Sequence, residues 1–209
     1  MDLKTVLHQV HIESGARMVP FGGWDMPVQY AGVISEVAAV RTNSGLFDVS
    51  HMGRLYIEGD SATDLLDLVL TSPASTLTIG RARYCMICDE SGGIIDDTIF
   101  YRLAENRYLL IPNAGNRIQI MNWLQSWIDK NFIGKCNVDD QTFKTSLIAI
   151  QGPNSSTILD QLCVVGNGTL PSSVRGFSWA DGVLKNHKVM LGRTGYTGED
   201  GFEIVVDSD

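Results

Sequence analysis

The apolar and polar positions change period several times along the 209 residues. Residues 2–10 read as a short helix. Residues 12–30, from Ile12 to Tyr30, mix glycine, proline and aromatics without a period. The segment is too apolar for a linker, so it reads as ordered but irregular. Helical spacing appears at 32–42, where Val33, Ile34, Val37 and Ala38 predict a buried stripe. Gly45 stands just beyond, where helices commonly stop. Residues 46–59 read as extended. Asp60 is placed to cap a helix running to Leu70, with Leu65, Leu66, Val69 and Leu70 as its buried face. Residues 82–89, 94–103 and 107–112 are strand candidates, separated by Ser91-Gly92-Gly93 and Ala104-Glu105-Asn106. Asn113 reads as the cap of a helix to about residue 129, with Ile120, Trp123, Leu124, Trp127 and Ile128 inward. Beyond it come a strand at 145–151, a turn at Gly152-Pro153, a helix at 154–163, and strands near 173–179, 183–191 and 202–206.

Strands, a helix, more strands and a further helix over 52–137 predict a small antiparallel sheet with helices on one face, an α+β layer. No linker-like composition marks a boundary, which predicts two domains in close contact. The predicted fold class is therefore α+β, with two antiparallel-sheet domains and the second inserted in the first. The first domain takes residues 1–51 plus 138–209 and the second takes 52–137.

Composition narrows the function. Lys and Arg number 16 against 24 Asp and Glu, a net charge of −8, which opposes nucleic-acid binding because that needs a basic surface. No run approaches the roughly 18 apolar residues of a membrane span. The N-terminus lacks a secretory apolar region and carries early acidic residues, unlike a mitochondrial transit peptide. Four cysteines are sparse for a secreted framework and predict free thiols in a reducing compartment. Cys85 and Cys88 have redox-like spacing but fall in a predicted strand, and Cys136 and Cys163 do not form a second pair, so buried thiols and no metal are expected. Glycine, at 21 of 209, exceeds the usual share of about 7% and points to many turns or a backbone-lined pocket.

Three local features bear on chemistry. Asp96-Asp97 interrupts an apolar strand, and neighbours on a strand face opposite sides. Asp97 shares its side with Ile95 and Ile99, which reads as the core side, where a carboxylate is costly unless paired or hydrogen-bonded. Either this is a functional carboxylate, or one Asp is exposed and the other binds backbone groups. The stretch from Arg193 to Glu203 is glycine-rich but lacks a phosphate-loop ending, so by itself it reads as a hairpin turn. Asp48, Ser50 and His51 lie too close on an extended segment to assemble a triad, leaving His51 a structural role.

Together these segments are more specific than any one of them. They include Gly15-Ala-Arg-Met-Val19, Phe21-Gly-Gly-Trp24, Met26-Pro-Val-Gln-Tyr30, Arg41-Thr42 and Gly45-Leu-Phe-Asp-Val-Ser-His-Met52. They continue with Gly92-Gly-Ile-Ile-Asp-Asp97, Pro112-Asn-Ala-Gly115, Gln151-Gly-Pro153 and Thr194-Gly-Tyr-Thr-Gly-Glu-Asp-Gly-Phe-Glu203. In this order and spacing the chain resembles the N-terminal two-thirds of the T-protein family of the glycine cleavage system, the tetrahydrofolate-dependent aminomethyltransferases. The resemblance implies a third, C-terminal β-barrel-like domain and an Arg-containing motif that these residues do not include, so an incomplete form with uncertain activity is expected.

The implied reaction moves the methylene of an aminomethyl group, carried on the lipoyl sulfur of the partner H-protein, to tetrahydrofolate, the acceptor substrate. Ammonia is released and no cofactor is covalently bound. The resemblance assigns catalysis to Asp97, the pterin donors to Glu203, and folate contacts to Tyr196, Met52 and Tyr84. Leu109 and Ile111 fall at further pocket positions. It also implies a cytoplasmic enzyme in bacteria, or a mitochondrial matrix enzyme only if the source is eukaryotic and a transit peptide is absent from this chain. Alternatives are a related folate-dependent demethylase or a non-catalytic folate-binding module.

Overall fold

A computed structural model describes residues 2–166 and 168–208. In chain order the first elements are α1 (His8–Glu13), β1 (Arg17–Phe21), β2 (Trp24–Gln29), α2 (Val33–Thr42) and β3 (Gly45–Asp48). Then come β4 (Leu55–Glu58), α3 (Ala62–Val69), β5 (Ala82–Cys88), β6 (Ile94–Ala104), β7 (Arg107–Ile111), α4 (Arg117–Trp127) and β8 (Asn137–Asp140). The last are β9 (Thr145–Gln151), α5 (Ser155–Asp160), β10 (Cys163–Val165), β11 (Trp179–Leu184), β12 (His187–Gly192) and β13 (Gly201–Asp207). Among the described residues no helix is long and apolar enough to cross a membrane.

The chain divides into two compact units, one of residues 1–51 with 144–209 and one of 52–143. The chain was expected to return to the first unit at residue 138. Instead β8 pairs antiparallel with β4, Leu55 opposite Asp140 and Glu58 opposite Asn137, which keeps 138–143 with the second unit.

The second unit is a five-stranded antiparallel sheet in the order β5-β6-β7-β4-β8. One face carries Leu55, Ile57, Cys85, Ile87, Phe100, Tyr108 and Leu110, and packs on Leu65, Leu66 and Val69 of α3 and Ile120 and Leu124 of α4. Each fully buried Leu or Ile there contributes about 1.5–3 kcal/mol. The helix at 62–69 has the expected inward residues, but it is preceded by Ser61 rather than capped by Asp60, and no side-chain oxygen closes its first turn. Asn113 likewise caps nothing. A 3-10 turn at Ala114–Asn116 precedes α4, and the Asn113 side chain is used elsewhere.

The first unit holds a six-stranded sheet in the order β10-β11-β12-β13-β9-β3. Ile150, Val189, Leu191, Phe202 and Ile204 cover one face and pack with Leu159 of α5. The segment 12–30 is not irregular. It takes the last two residues of α1 and then forms the hairpin β1–β2, joined at Gly22 and Gly23 with φ of 57° and 84°. This is the two-residue turn class that needs positive φ at both central positions, which glycine supplies without strain. Pro20 and Pro27 fit because both strands of a two-stranded sheet are edges. The stripe on α2 is not buried, since Ile34 is 88% exposed and Val33 and Val37 are more than half exposed. The strand expected at 173–179 begins only at Trp179. The expected strand at 183–191 is divided by a turn, where Leu184 pairs with His187 and Lys185 has φ of 54°.

Candidate functional site

In the second unit the expected residues share one sheet face. Ile99 pairs with Ile111, Tyr101 with Leu109, Tyr84 with Ile99, and Met86 with Asp97. Directly opposed residues point the same way. Tyr84, Asp97, Leu109 and Ile111 therefore lie on the face turned away from the helix-covered core. Leu109 and Ile111 are buried, whereas Tyr84 and Asp97 are exposed.

The Asp pair corrects the expected sides. Asp96, not Asp97, faces the core with Thr98 and Phe100, because that is the side α3 and α4 cover. Asp96 is 3% exposed and is satisfied by the turn before α4. Its Oδ2 accepts from the Asn113 backbone N–H at 2.9 Å, and its Oδ1 accepts from the side-chain amides of Asn113 at 2.9 Å and Asn116 at 2.6 Å. Asp97 is held by two donors, one of them the same Asn113 nitrogen. The Tyr84 hydroxyl donates to Oδ2 at 2.6 Å and Asn113 Nδ2 donates to Oδ1 at 3.1 Å. Asn113 Nδ2 also reaches the Asp97 carbonyl at 2.9 Å. The hydrogen bond to Asp97 raises the Tyr84 phenol above its ordinary value, so it stays a donor near neutral pH. Met52 is half-buried before β4, and its carbonyl accepts from the guanidinium of the fully buried Arg54.

In the first unit Glu203 lies on β13 opposite Gly192 and Ala149, and Phe47 is also opposite Ala149. This is again the face away from the unit's own core, where Phe202 and Ile204 point. The Thr194 hydroxyl donates to Glu203 Oε2. Tyr196 packs edge-on against Phe47 at 5.9 Å between centroids and leaves 60% of its surface open. Protein packed around its hydroxyl, and then the charge of Glu203, push the phenol up to about 12, so it is neutral at physiological pH.

The loop from Arg193 to Asp200 that carries Tyr196 is pinned from several sides. The buried Gln151 amide donates to the Thr194 carbonyl at 3.1 Å and accepts from the Thr197 hydroxyl at 3.1 Å. Arg41 donates to the Thr197 carbonyl at 2.6 Å and to Glu199 at 2.9 Å. Arg193 grips Asp200 through two parallel bonds of 2.9 and 2.6 Å, the fork geometry that suits a carboxylate. Gly195 is required by close approach, because a Cβ there would lie 1.9 Å from Gln151 Oε1. The glycines of this stretch thus admit a buried amide against the backbone. The simple hairpin reading did not contain that.

His51 is buried and its ring meets Phe21 edge-on, while Asp48 bonds His11 at 2.9 Å. The cysteines are free, with three buried and Cys88 partly so, and burial pushes the Cys85 thiol up to about 12. Among the described residues no His, Cys, Asp and Glu cluster could hold a metal ion. A surface hollow of about 580 Å³ is lined by Gln29, Ala31, Gly32, Val33, Ile34, Ser35 and Ala38, with no titratable side chain and none of the expected site residues among them. Sequence reasoning missed Asn113, Asn116, Arg54 and Gln151 as site-building residues. Asn113 and Gln151 nevertheless stand in motifs that had been noticed.

Residues 7–209 match the family model described as "GCVT N-terminal domain". The chain is 44% identical over 208 residues to an aminomethyltransferase of Symbiobacterium thermophilum and 42% identical over 218 residues to one of Corynebacterium jeikeium, with 99% of this chain and 55% of each relative covered. The chain thus spans about half the length of these curated relatives, rather than the expected two-thirds. The structure superposes on the glycine cleavage system aminomethyltransferase T of Bartonella henselae with a TM-score of 0.86 and 34% identity, covering 98% of this chain and 54% of that one. It also shares its fold with a chain of the heterotetrameric sarcosine oxidase of Corynebacterium sp. U-96, at a TM-score of 0.58 and 18% identity, over 84% of this chain and 83% of that one. With a family model matched over nearly its whole length, this chain belongs to the GCVT N-terminal domain family, that of the aminomethyltransferases of glycine cleavage.

Proposed function

We propose that the chain supplies the acceptor-binding and transfer groups of a tetrahydrofolate-dependent aminomethyltransferase. It would act in the bacterial cytoplasm with a lipoylated H-protein as the donor partner. The observation that carries the reading is Asp97, an exposed carboxylate on the sheet face turned away from α3 and α4, with one donor fixed on each oxygen. Transfer of a methylene to a folate requires handling the proton of an amine nitrogen and stabilising positive charge as ammonia departs. A carboxylate held in one orientation serves both needs, because its dipoles do not have to reorganise during the reaction. Tyr84 remains neutral and holds the Asp97 carboxylate from one side.

Glu203 takes the pterin role in this proposal. A carboxylate offers about four acceptor positions, and Thr194 uses one. A pterin edge presents an amine and a ring N–H as parallel donors, which a carboxylate accepts together. Tyr196 contributes a neutral, largely open ring against which a flat ligand can lie. Half-buried Met52 contributes apolar surface, and the buried Leu109 and Ile111 back the sheet face that carries Asp97.

Calorimetry of tetrahydrofolate with this chain tests the binding half of the proposal. The transfer half is tested in a chain extended to the relatives' length, by following 5,10-methylenetetrahydrofolate and ammonia from aminomethylated H-protein. Stoichiometric product supports the reading. Folate binding without product, in the extended chain, rejects the transferase role in favour of a binding module.

A further inference from the structure

Asp96 is nearly buried, carries a carboxylate, and is met only by neutral donors among the described residues: the Asn113 backbone, the Asn113 amide and the Asn116 amide. Burial of a carboxylate without a cation is costly. Holding the start of α4 accounts for two of the three donors. The third, the Asn113 carboxamide, has a second task, because the same Nδ2 reaches the Asp97 carbonyl and the Asp97 carboxylate.

A carboxamide can turn over and exchange its nitrogen for its oxygen, and its orientation is set by what surrounds it. Here Asp96 Oδ1 accepts from Nδ2 at 2.9 Å. Were the amide reversed, its oxygen would face carboxylate oxygens of both Asp96 and Asp97. Both carboxylates therefore select the orientation that offers N–H to Asp97, and Asp96 is the one that ties the amide to the buried turn before α4.

We infer that Asp96 is a positioning residue for the transfer reaction: through the Asn113 carboxamide it holds the Asp97 carboxylate in its working orientation. The inference rests on the transfer role proposed for Asp97. With Tyr84 on Oδ2 and Asn113 on Oδ1, rotation of the Asp97 carboxylate about its own axis breaks two hydrogen bonds. If Asp96 loses its charge, the amide loses its buried anchor and is held only by the Asp97 carbonyl and carboxylate that it positions, so the two side chains can shift together. Catalytic groups tolerate little misplacement.

The test is a double-mutant cycle on kcat in a chain extended to the relatives' length, with Asp96→Asn, Asn113→Ala and the pair. Asp96→Asn is expected to lower kcat about 10–100-fold with KM for tetrahydrofolate within about threefold, whereas in the Asn113→Ala background the same change costs less than about threefold. A merely structural Asp96 would cost the same factor in both backgrounds, and that result overturns the inference. If Asp96→Asn does not fold, Asn113→Ala alone decides, since unchanged kcat would sink the idea. A second readout needs no ligand. In ¹⁵N spectra of this chain the Asn113 side-chain amide, assigned by its loss in Asn113→Ala, should exchange with solvent faster in Asp96→Asn. Equal exchange in the two proteins counts against the lock. Asp97→Asn is run alongside. Near-normal kcat there removes the functional reading itself and the inference with it, whereas a collapsed kcat with an additive cycle removes the inference alone.

Discussion

Replacing Gly195 by alanine adds a single methyl group at a crowded point of the first unit. The new Cβ would stand 1.9 Å from Gln151 Oε1, 2.5 Å from its Cδ and 2.6 Å from its Nε2. Real contacts of that kind need well over 3 Å, so the Gln151 amide or the loop must move by more than 1 Å. The amide is poorly placed to yield, because it is fully buried and bonds the Thr194 carbonyl and the Thr197 hydroxyl. Overpacking of this kind costs about 1–3 kcal/mol, and stranding one buried polar partner costs about 1–3 kcal/mol more. The expected loss is about 2–6 kcal/mol in urea unfolding followed by a first-unit probe. Gly176→Ala serves as control, since a Cβ at Gly176 meets nothing within 4 Å and should change stability by less than about 0.5 kcal/mol. Gln151→Ala removes the obstacle, so Gly195→Ala should cost distinctly less in that background. The loop also carries Tyr196 and the Thr194 that bonds Glu203, so tetrahydrofolate affinity should fall with stability. Equal unfolding midpoints for Gly195→Ala and Gly176→Ala would refute the steric argument.

Two further expectations concern carboxylates of the first unit. Glu203→Gln should weaken tetrahydrofolate and 5-formyltetrahydrofolate in parallel, by about 1–3 kcal/mol or roughly 5–150-fold, because one pterin donor would meet an amide N–H; unchanged calorimetric affinity for both would reject the pterin role. At Asp48 burial alone would raise the carboxyl, but hydrogen bonds led by Ser50 outweigh it and hold the group below its ordinary value. Its stabilising contribution is thus complete above the unfolded value near pH 4 and is lost as pH falls through the lower folded value, so Asp48→Asn should flatten the acid limb of urea midpoints measured from pH 6 to 3, and an unchanged slope would contradict this.

The alternation of strand residues made the sheet of the second unit legible. Strands β5, β6 and β7 appear within a residue or two of their expected ends, because glycine and polar turns bound dense apolar runs. The same alternation showed that Asp96 and Asp97 point opposite ways, but not which way, since that depends on where α3 and α4 pack. The hairpin at 17–29 was hidden by its prolines, which are acceptable only because the two strands stand apart from any larger sheet. The stripe on α2 was real as a pattern and wrong as evidence of burial, because periodicity records which residues share a face and not whether anything covers it. The positions expected in the site all fall on core-averted sheet faces or on segments beside them, and the resemblance had named them. The supports Asn113 and Gln151 could not be read as such, because their partners lie 16–17 and 43–51 residues away in sequence.

The role of Asp97 is tested most directly by kcat for methylene transfer in Asp97→Asn, measured beside the calorimetric affinity for tetrahydrofolate in a chain extended to the relatives' length. The asparagine keeps the size of the side chain and can still accept from Tyr84, but it carries no charge to stabilise a developing cation or to take a proton. kcat should fall by roughly 10²–10⁴-fold, the usual range for a positioned acid–base group, while affinity changes less than about fivefold. Near-normal turnover, or a loss confined to affinity, would contradict the account.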